Sequence, residues 1–327
     1  MPSGEEKIIE LFRPLAKHPG AFGLIDDCAA VTPPLGHDLV LKADAIVGGV
    51  HFFPTDPASD VARKALRVNL SDLAAKGAKP IGFLLSLALP KEAGIEWVAA
   101  FAKGLGEDAE CYGCPLFGGD TVATPGPVTV AITVFGVVPT ATMVERGGAK
   151  VGDHIVVSGT IGDAALGVRL CQDPGLATRW GLSEAQAEHL VGRYRLPQPR
   201  NAAAEALRRH AHGGMDISDG LVGDLDKLCQ ASGVAATVHA AQVPLSDAAR
   251  VALAADPTLI EPILTGGDDY EVLATVEDAK LAPLLKAAEA AGVTLTEIGR
   301  IVAGQGACVL DSGGTALTFE RGSYSHF

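Results

Sequence analysis

The sequence contains no apolar run approaching the roughly 18–20 residues that a helical membrane span requires, so a membrane protein of that kind is excluded. Its opening segment, MPSGEEKIIELF, also lacks the apolar stretch of a signal peptide, and the cytoplasm is the expected location. Cysteine is sparse: the six residues at 28, 111, 114, 171, 229 and 308 are scattered through a long chain, not spaced as a disulfide scaffold. Cys111 and Cys114 form a C-x-x-C, but no second pair or nearby histidine completes a zinc site, and no redox-type βαβ pattern surrounds them. Positive charge is in deficit. With 26 Lys and Arg against 39 Asp and Glu, the net charge of −13 excludes a nucleic-acid surface, which needs clustered cations. Nucleotide motifs are missing too: there is no G-x-x-x-x-G-K-[ST], no H-R-D with D-F-G, and no G-x-G-x-x-G after a strand. An acidic chain that bound a phosphorylated ligand would therefore need metal ions between the two sets of negative charge.

What is present is a chain of 327 residues, 48% hydrophobic and 20% charged, long enough for two domains. Residues 5 to 17 predict an amphipathic helix. Strand-like runs LVLKADAIVGGVHFF, PIGFLLSLALP and PVTVAITVFGVV alternate with helical patterns near 60–76 and 94–112. The pattern restarts at ERGGAKVGDHIVVSGTIGDAALGVRLC, which sets a boundary near Thr140 to Lys150 and divides the chain into 1–142 and 143–327. The fold class expected is α/β or α+β. Ser-Asp opens a helical pattern in both NLSDLAA and DISDGLVGDL, and GGD at 118–120 echoes GGDD at 266–269.

Aspartates occupy unusual positions. Asp44 interrupts a β-prone apolar stretch, so it either meets a cation or hydrogen-bond donors, or stands at a solvated strand end. Asp26 and Asp27 adjoin each other at a glycine turn, where an Asx-turn is the alternative to metal binding. Asp72 and Asp219 could each be a helix N-cap. Asp216 pairs with Asp219 across one turn, and Asp120 follows two glycines that permit close backbone approach. Oxygen ligands without His and Cys clusters favour Mg²⁺, which combines one or two carboxylates with substrate phosphates.

In order and spacing, DDCA, NLSDLAAKGAKP, LFGGDT, RGGAKVGD, MDISDGL, GGDDYE and YSHF resemble the thiamine-monophosphate kinase family, over nearly the whole chain. That family shares a superfamily with aminoimidazole ribonucleotide synthetase and selenophosphate synthetase. The resemblance implies an aminoimidazole ribonucleotide synthetase-like fold: an N-terminal domain (1–142) that binds ATP and Mg²⁺ and dimerises through its strands, then a C-terminal α/β domain (143–327). ATP is expected in the cleft between them. It implies Mg²⁺ ligands at Asp27, Asp44, Asp72, Asp120, Asp216 and Asp219, nucleotide contacts at Gly119, Asp120, Arg146, Ser218 and Tyr112, and thiamine-phosphate contacts at His51 and Asp268. The implied reaction is ATP-dependent phosphorylation of thiamine monophosphate by a homodimer, without a catalytic side chain. The alternatives are an ATP-dependent synthetase of the same superfamily or a non-catalytic nucleotide- or metal-binding relative.

The chain departs from the family pattern at four places, one of them a residue pair. Ile25 replaces the second glycine before the paired aspartates, and Asp268 replaces glutamate. Lys42 and Ala43 stand where hydroxyl residues usually precede Asp44, so one metal site either lacks a side-chain ligand or is replaced by the lysine charge. Arg321 stands where an aromatic usually packs on the thiamine ring, with Phe319 two residues earlier as the expected substitute.

Overall fold

A proline shortens the first helix. The pattern over 5–17 predicts one helix, but α1 spans Gly4–Phe12 and a 3-10 turn follows at Arg13–Leu15, because Pro14 has no amide to continue the helix. The computed structural model describes residues 4–323; the C-terminal YSHF motif lies outside the described residues. The chain divides into two compact units, one made of residues up to Leu73 with Ala78–Thr142, the other of Ala74–Gly77 with the chain from Met143 onward.

In the first unit, β1 (His37–Val47), α2 (Ala58–Ala75), β2 (Lys79–Pro90), α3 (Ile95–Cys111), β3 (Leu116–Thr124) and β4 (Thr129–Pro139) follow α1. The four strands form one sheet in the order β1-β4-β2-β3, so β1 and β3 are its opposite edges. Alternation fixes the two faces: along β1, Val40 and Ile46 are buried, whereas Leu39, Leu41, Ala43 and Ala45 are exposed. Lys42 and Asp44 share the buried parity, which puts them on the face that meets α2. The opposite face is largely open and apolar, with Leu39, Leu41, Leu84 and Val122 exposed.

The second unit contains β5 (His154–Ser158), α4 (Asp163–Gln172), α5 (Leu176–Arg179), α6 (Glu184–Arg195), α7 (Ala204–His210), β6 (Gly213–Ile217) and α8 (Leu221–Ser232). It continues with β7 (Ala235–His239), α9 (Asp247–Ala255), α10 (Ile260–Thr265), β8 (Glu271–Val276), α11 (Asp278–Ala290), β9 (Leu295–Val302) and β10 (Gly306–Leu310). Its six strands run β10-β7-β9-β5-β8-β6. Both faces are covered, as the continuous burial of β5, β6 and β8 requires. Ile155 and Val157 enter a core with α4, α6, α8, α9 and α10, while Val156 enters a second core with α7 and α11. The strand ends at Ile217 and Glu271 lie at one end of the β6–β8 edge, where the acidic motifs sit.

Candidate functional site

The aspartates of the first unit separate into two groups. Asp44 is half-buried on edge strand β1, and its amide donates to Asn69 Oδ1 on α2 at 3.0 Å. Asp72 is no N-cap: it lies in the last turn of α2, where a negative charge opposes the helix dipole and needs a compensating cation. Lys42 supplies one. Its Nζ stands 3.2 Å from Asp44 Oδ1 and 3.0 Å from Asp72 Oδ2. Burial alone would lower the lysine's pKa, but Asp72 and then Asp44 outweigh it and hold the group above its ordinary value.

Asp120 occupies the other edge. In register with Ser86, it is exposed on β3, three strand spacings away from β1, or about 14 Å at roughly 4.8 Å per spacing. The 3-10 segment Pro19–Leu24 packs along β3, with His18 against Phe117 at 4.6 Å between ring centres, and leads into the Asp26–Asp27 turn. Asp26 accepts from the Cys28 amide at 3.4 Å, an Asx-turn contact, and Asp27 is exposed. Gly119 is required by strand pairing, because a Cβ there would lie 1.9 Å from the Leu85 carbonyl.

His51 follows the β1 strand in a tight turn. Its Nδ1 accepts from the Val47 amide at 3.0 Å, which fixes the neutral ring's proton on Nε2. Buried Lys64 donates to the His51 carbonyl at 3.0 Å and holds the turn onto α2. Tyr112 caps the end of α3, with the Arg67 guanidinium 5.8 Å above its ring. Cys114 is buried and its thiol is pushed up to about 12 by that burial, so the C-x-x-C carries an unreactive partner.

In the second unit two acidic motifs interlock. The Asp268 amide donates to the Ser218 carbonyl and the Tyr270 amide to the Ile217 carbonyl, both at 2.8 Å. Glycines make the closeness possible: a Cβ at Gly267 would lie 2.4 Å from the Ser218 carbonyl, and one at Gly220 2.5 Å from Thr265. Asp268 and Tyr270 both hold positive φ, at 70° and 50°, so the loop is held in a costly conformation by its surroundings. Below it, Asp269 is buried and both its oxygens accept from the Gly162 amide, at 3.0 and 2.9 Å. Burial pushes its carboxyl well above the ordinary range. Buried Glu271 takes bonds from Arg193 at 2.7 Å, Arg200 at 2.6 Å and Ser158 at 2.5 Å.

Asp216 is buried near the end of β6, and Asp219 is half-exposed just beyond it. Asp219 is not an N-cap either. Asp224, fully buried in the first turn of α8, accepts from the Ser218 and Asp219 amides at 2.9 and 2.8 Å. Lys227 Nζ bridges the two acids, 2.5 Å from Asp219 and 2.8 Å from Asp224. Arg146 is exposed on the 3-10 turn Arg146–Gly148, which Ser232 fastens by donating to the Arg146 carbonyl at 3.4 Å. Phe319 is half-buried against the second unit's core, and Arg321 is exposed. The tail crosses α8, where a Cβ on Gly223 would meet Ser323 at 2.2 Å.

The donor chemistry suits Mg²⁺ at Asp27, Asp120 and Asp216, because that ion needs only one or two carboxylates beside phosphate oxygens; Asp219 joins them only where the Lys227 ammonium, 2.5 Å away, releases it. The Asp44–Asp72 gap does not suit it, since an ammonium already stands there. Among the described residues, no three His, Cys, Asp or Glu side chains form a metal-holding group.

Residues 25–138 match the N-terminal domain of AIR synthase related protein, and residues 150–311 match its C-terminal domain. Thiamine-monophosphate kinase from Caulobacter vibrioides is 40% identical over 309 residues, covering 93% of this chain and 86% of that protein. The Escherichia coli K12 enzyme of the same name is 37% identical over 307 residues, covering 93% and 91%. The crystal structure of thiamine-monophosphate kinase from Stenotrophomonas maltophilia K279a superposes with a TM-score of 0.85 at 39% identity, covering 97% of this chain and 99% of that one. AaThiL complexed with AMPPCP and TMP superposes with a TM-score of 0.78 at 31% identity, covering 94% and 97%. By sequence and by fold, the chain belongs to the thiamine-monophosphate kinase family of AIR synthase related proteins.

Proposed function

We propose that this chain phosphorylates thiamine monophosphate to thiamine diphosphate with ATP, by direct in-line transfer of the γ-phosphoryl group assisted by Mg²⁺. One observation carries the reading: the Asp268–Ser218 hydrogen bond at 2.8 Å joins the nucleotide-side motif and the thiamine-side motif in one loop system. The 31% identical AaThiL, crystallised with AMPPCP and TMP, supports the same substrate pair.

In this reading Gly119, Asp120, Arg146, Ser218 and Tyr112 contact the nucleotide, and His51 donates from Nε2 to the substrate phosphate. Asp268 faces the cationic thiamine portion, Phe319 packs against it, and Arg321 turns outward. Asp27, Asp120 and Asp216 would hold Mg²⁺, and Asp219 would join them once Lys227 releases it. When bound, Mg²⁺ supplies the positive charge that lets two phosphate-bearing substrates approach and offsets charge developing on the transferred group. The acceptor phosphate is already largely ionised at neutral pH, so the protein's task is positioning and no general base is needed.

We further propose that the chain works in the cytoplasm as a homodimer whose N-terminal domains (1–142) meet through their strands. The exposed apolar sheet face around Leu39, Leu41, Leu84 and Val122 supports the dimer. No described helix is long and apolar enough to cross a membrane. Transfer from ATP made chiral at the γ-phosphorus tests the in-line step. Inversion of configuration is the expected outcome; retention would indicate a covalent phosphoenzyme and overturn it.

A further inference from the structure

Two carboxylates from different elements, Asp44 on β1 and Asp72 in the last turn of α2, converge on one point, and that point is filled by the Lys42 ammonium. We propose that Lys42 is a built-in cation that takes the place of one divalent metal ion, so that the chain holds one ion fewer than a chain with a small neutral residue at position 42 would. The proposal rests on the Mg²⁺-assisted reading above.

Three observations carry it. The first is the reach of the lysine: its contacts of 3.2 and 3.0 Å are ion-pair distances, and it makes both at once. A Mg²⁺ ion bound to both acids would need oxygens at roughly 2.0–2.1 Å in near-octahedral array, so the acids would have to close in and the ammonium leave. The second is tethering. Lys42 lies on the same strand and the same face as Asp44, two residues away, so its effective concentration at the acids is set by the fold and does not depend on free metal. The third is need: Asp72 faces the unfavourable end of its helix dipole, and its side chain is only 18% exposed, so a permanent cation stabilises the folded chain itself. A hydrated divalent ion would satisfy the same acids only while bound.

The test counts Mn²⁺ ions bound to the intact chain at saturating AMPPCP, by electron paramagnetic resonance, for wild type, Lys42→Ser and Lys42→Arg. Lys42→Ser is expected to bind one more Mn²⁺ per chain than wild type, and Lys42→Arg the same number as wild type. Equal counts for wild type and Lys42→Ser would overturn the proposal. Should the serine variant not fold, anomalous scattering from wild-type crystals grown with Mn²⁺ decides: no peak between Asp44 and Asp72 upholds the built-in cation, and a peak there overturns it. Ion counting needs no turnover. Equal counts beside a wild type that forms thiamine diphosphate would sink this inference and leave the kinase reading standing, whereas one extra ion in Lys42→Ser beside a wild type that forms no thiamine diphosphate would do the reverse.

Discussion

The amide of Asp268 donates to the carbonyl of Ser218 at 2.8 Å, tying together two segments that lie about fifty residues apart in sequence. The approach leaves no room for a side chain at Gly267, whose Cβ would be 2.4 Å from that carbonyl. Gly267→Ala is therefore expected to push the two motifs apart. Steady-state kinetics should show kcat/KM falling at least tenfold for both substrates, with a lower melting temperature. Unchanged kinetics would mean that the interlock does not position the site.

Asp120 gives a sharper separation of stability from activity. It is exposed on an edge strand, so Asp120→Asn should leave the melting temperature nearly unchanged. In the proposed reading turnover should nevertheless drop by orders of magnitude, because the carboxylate that would hold Mg²⁺ against the phosphates loses its charge. Activity that survives at saturating Mg²⁺ would remove Asp120 from the metal site.

Asp269 makes stability depend on pH. Burial raises its folded-state pKa, so the folded chain holds this proton to higher pH than the unfolded chain does. Its stabilising contribution is complete below the ordinary carboxylate value of about 4 and is lost as pH rises towards the raised value. Asp269→Asn keeps an oxygen for the Gly162 amide and removes the ionisation. The melting temperature of wild type should therefore fall relative to the variant as pH rises from 4 into the neutral range. A constant difference across that range would contradict the assignment.

Much of this site was legible as residue type and little of it as partnership. The β-prone run around Asp44 correctly predicts a strand, and the DISDG pattern correctly precedes a helix. That Lys42 bridges Asp44 and Asp72 was not readable, because it depends on α2 laying its last turn beside β1. GGDDYE likewise gives no hint that Asp268 is half-buried while Asp269 and Glu271 are fully buried; a loop at positive φ follows neither the two-residue nor the 3.6-residue period. Helix α6 went unrecognised although Ser183 and Gln186 form a capping box, a signal that was present in the sequence.

The tail offers a prediction in which stability and binding are both measured. Phe319 packs against the core of the second unit, so Phe319→Ala should cost about 1–3 kcal/mol of stability. In the proposed reading it should also raise the KM for thiamine monophosphate while leaving that for ATP nearly unchanged. Arg321→Ala, at an exposed position, should be close to neutral in both. An essential Arg321 beside a silent Phe319 would relocate the thiamine end of the site.

The most direct measurement of the central claim is product analysis after incubating the purified chain with ATP, Mg²⁺ and thiamine monophosphate. Thiamine diphosphate and ADP should appear in equal amounts, with no inorganic phosphate beyond background. ADP accompanied by inorganic phosphate, with thiamine monophosphate unchanged, would contradict phosphoryl transfer to this acceptor.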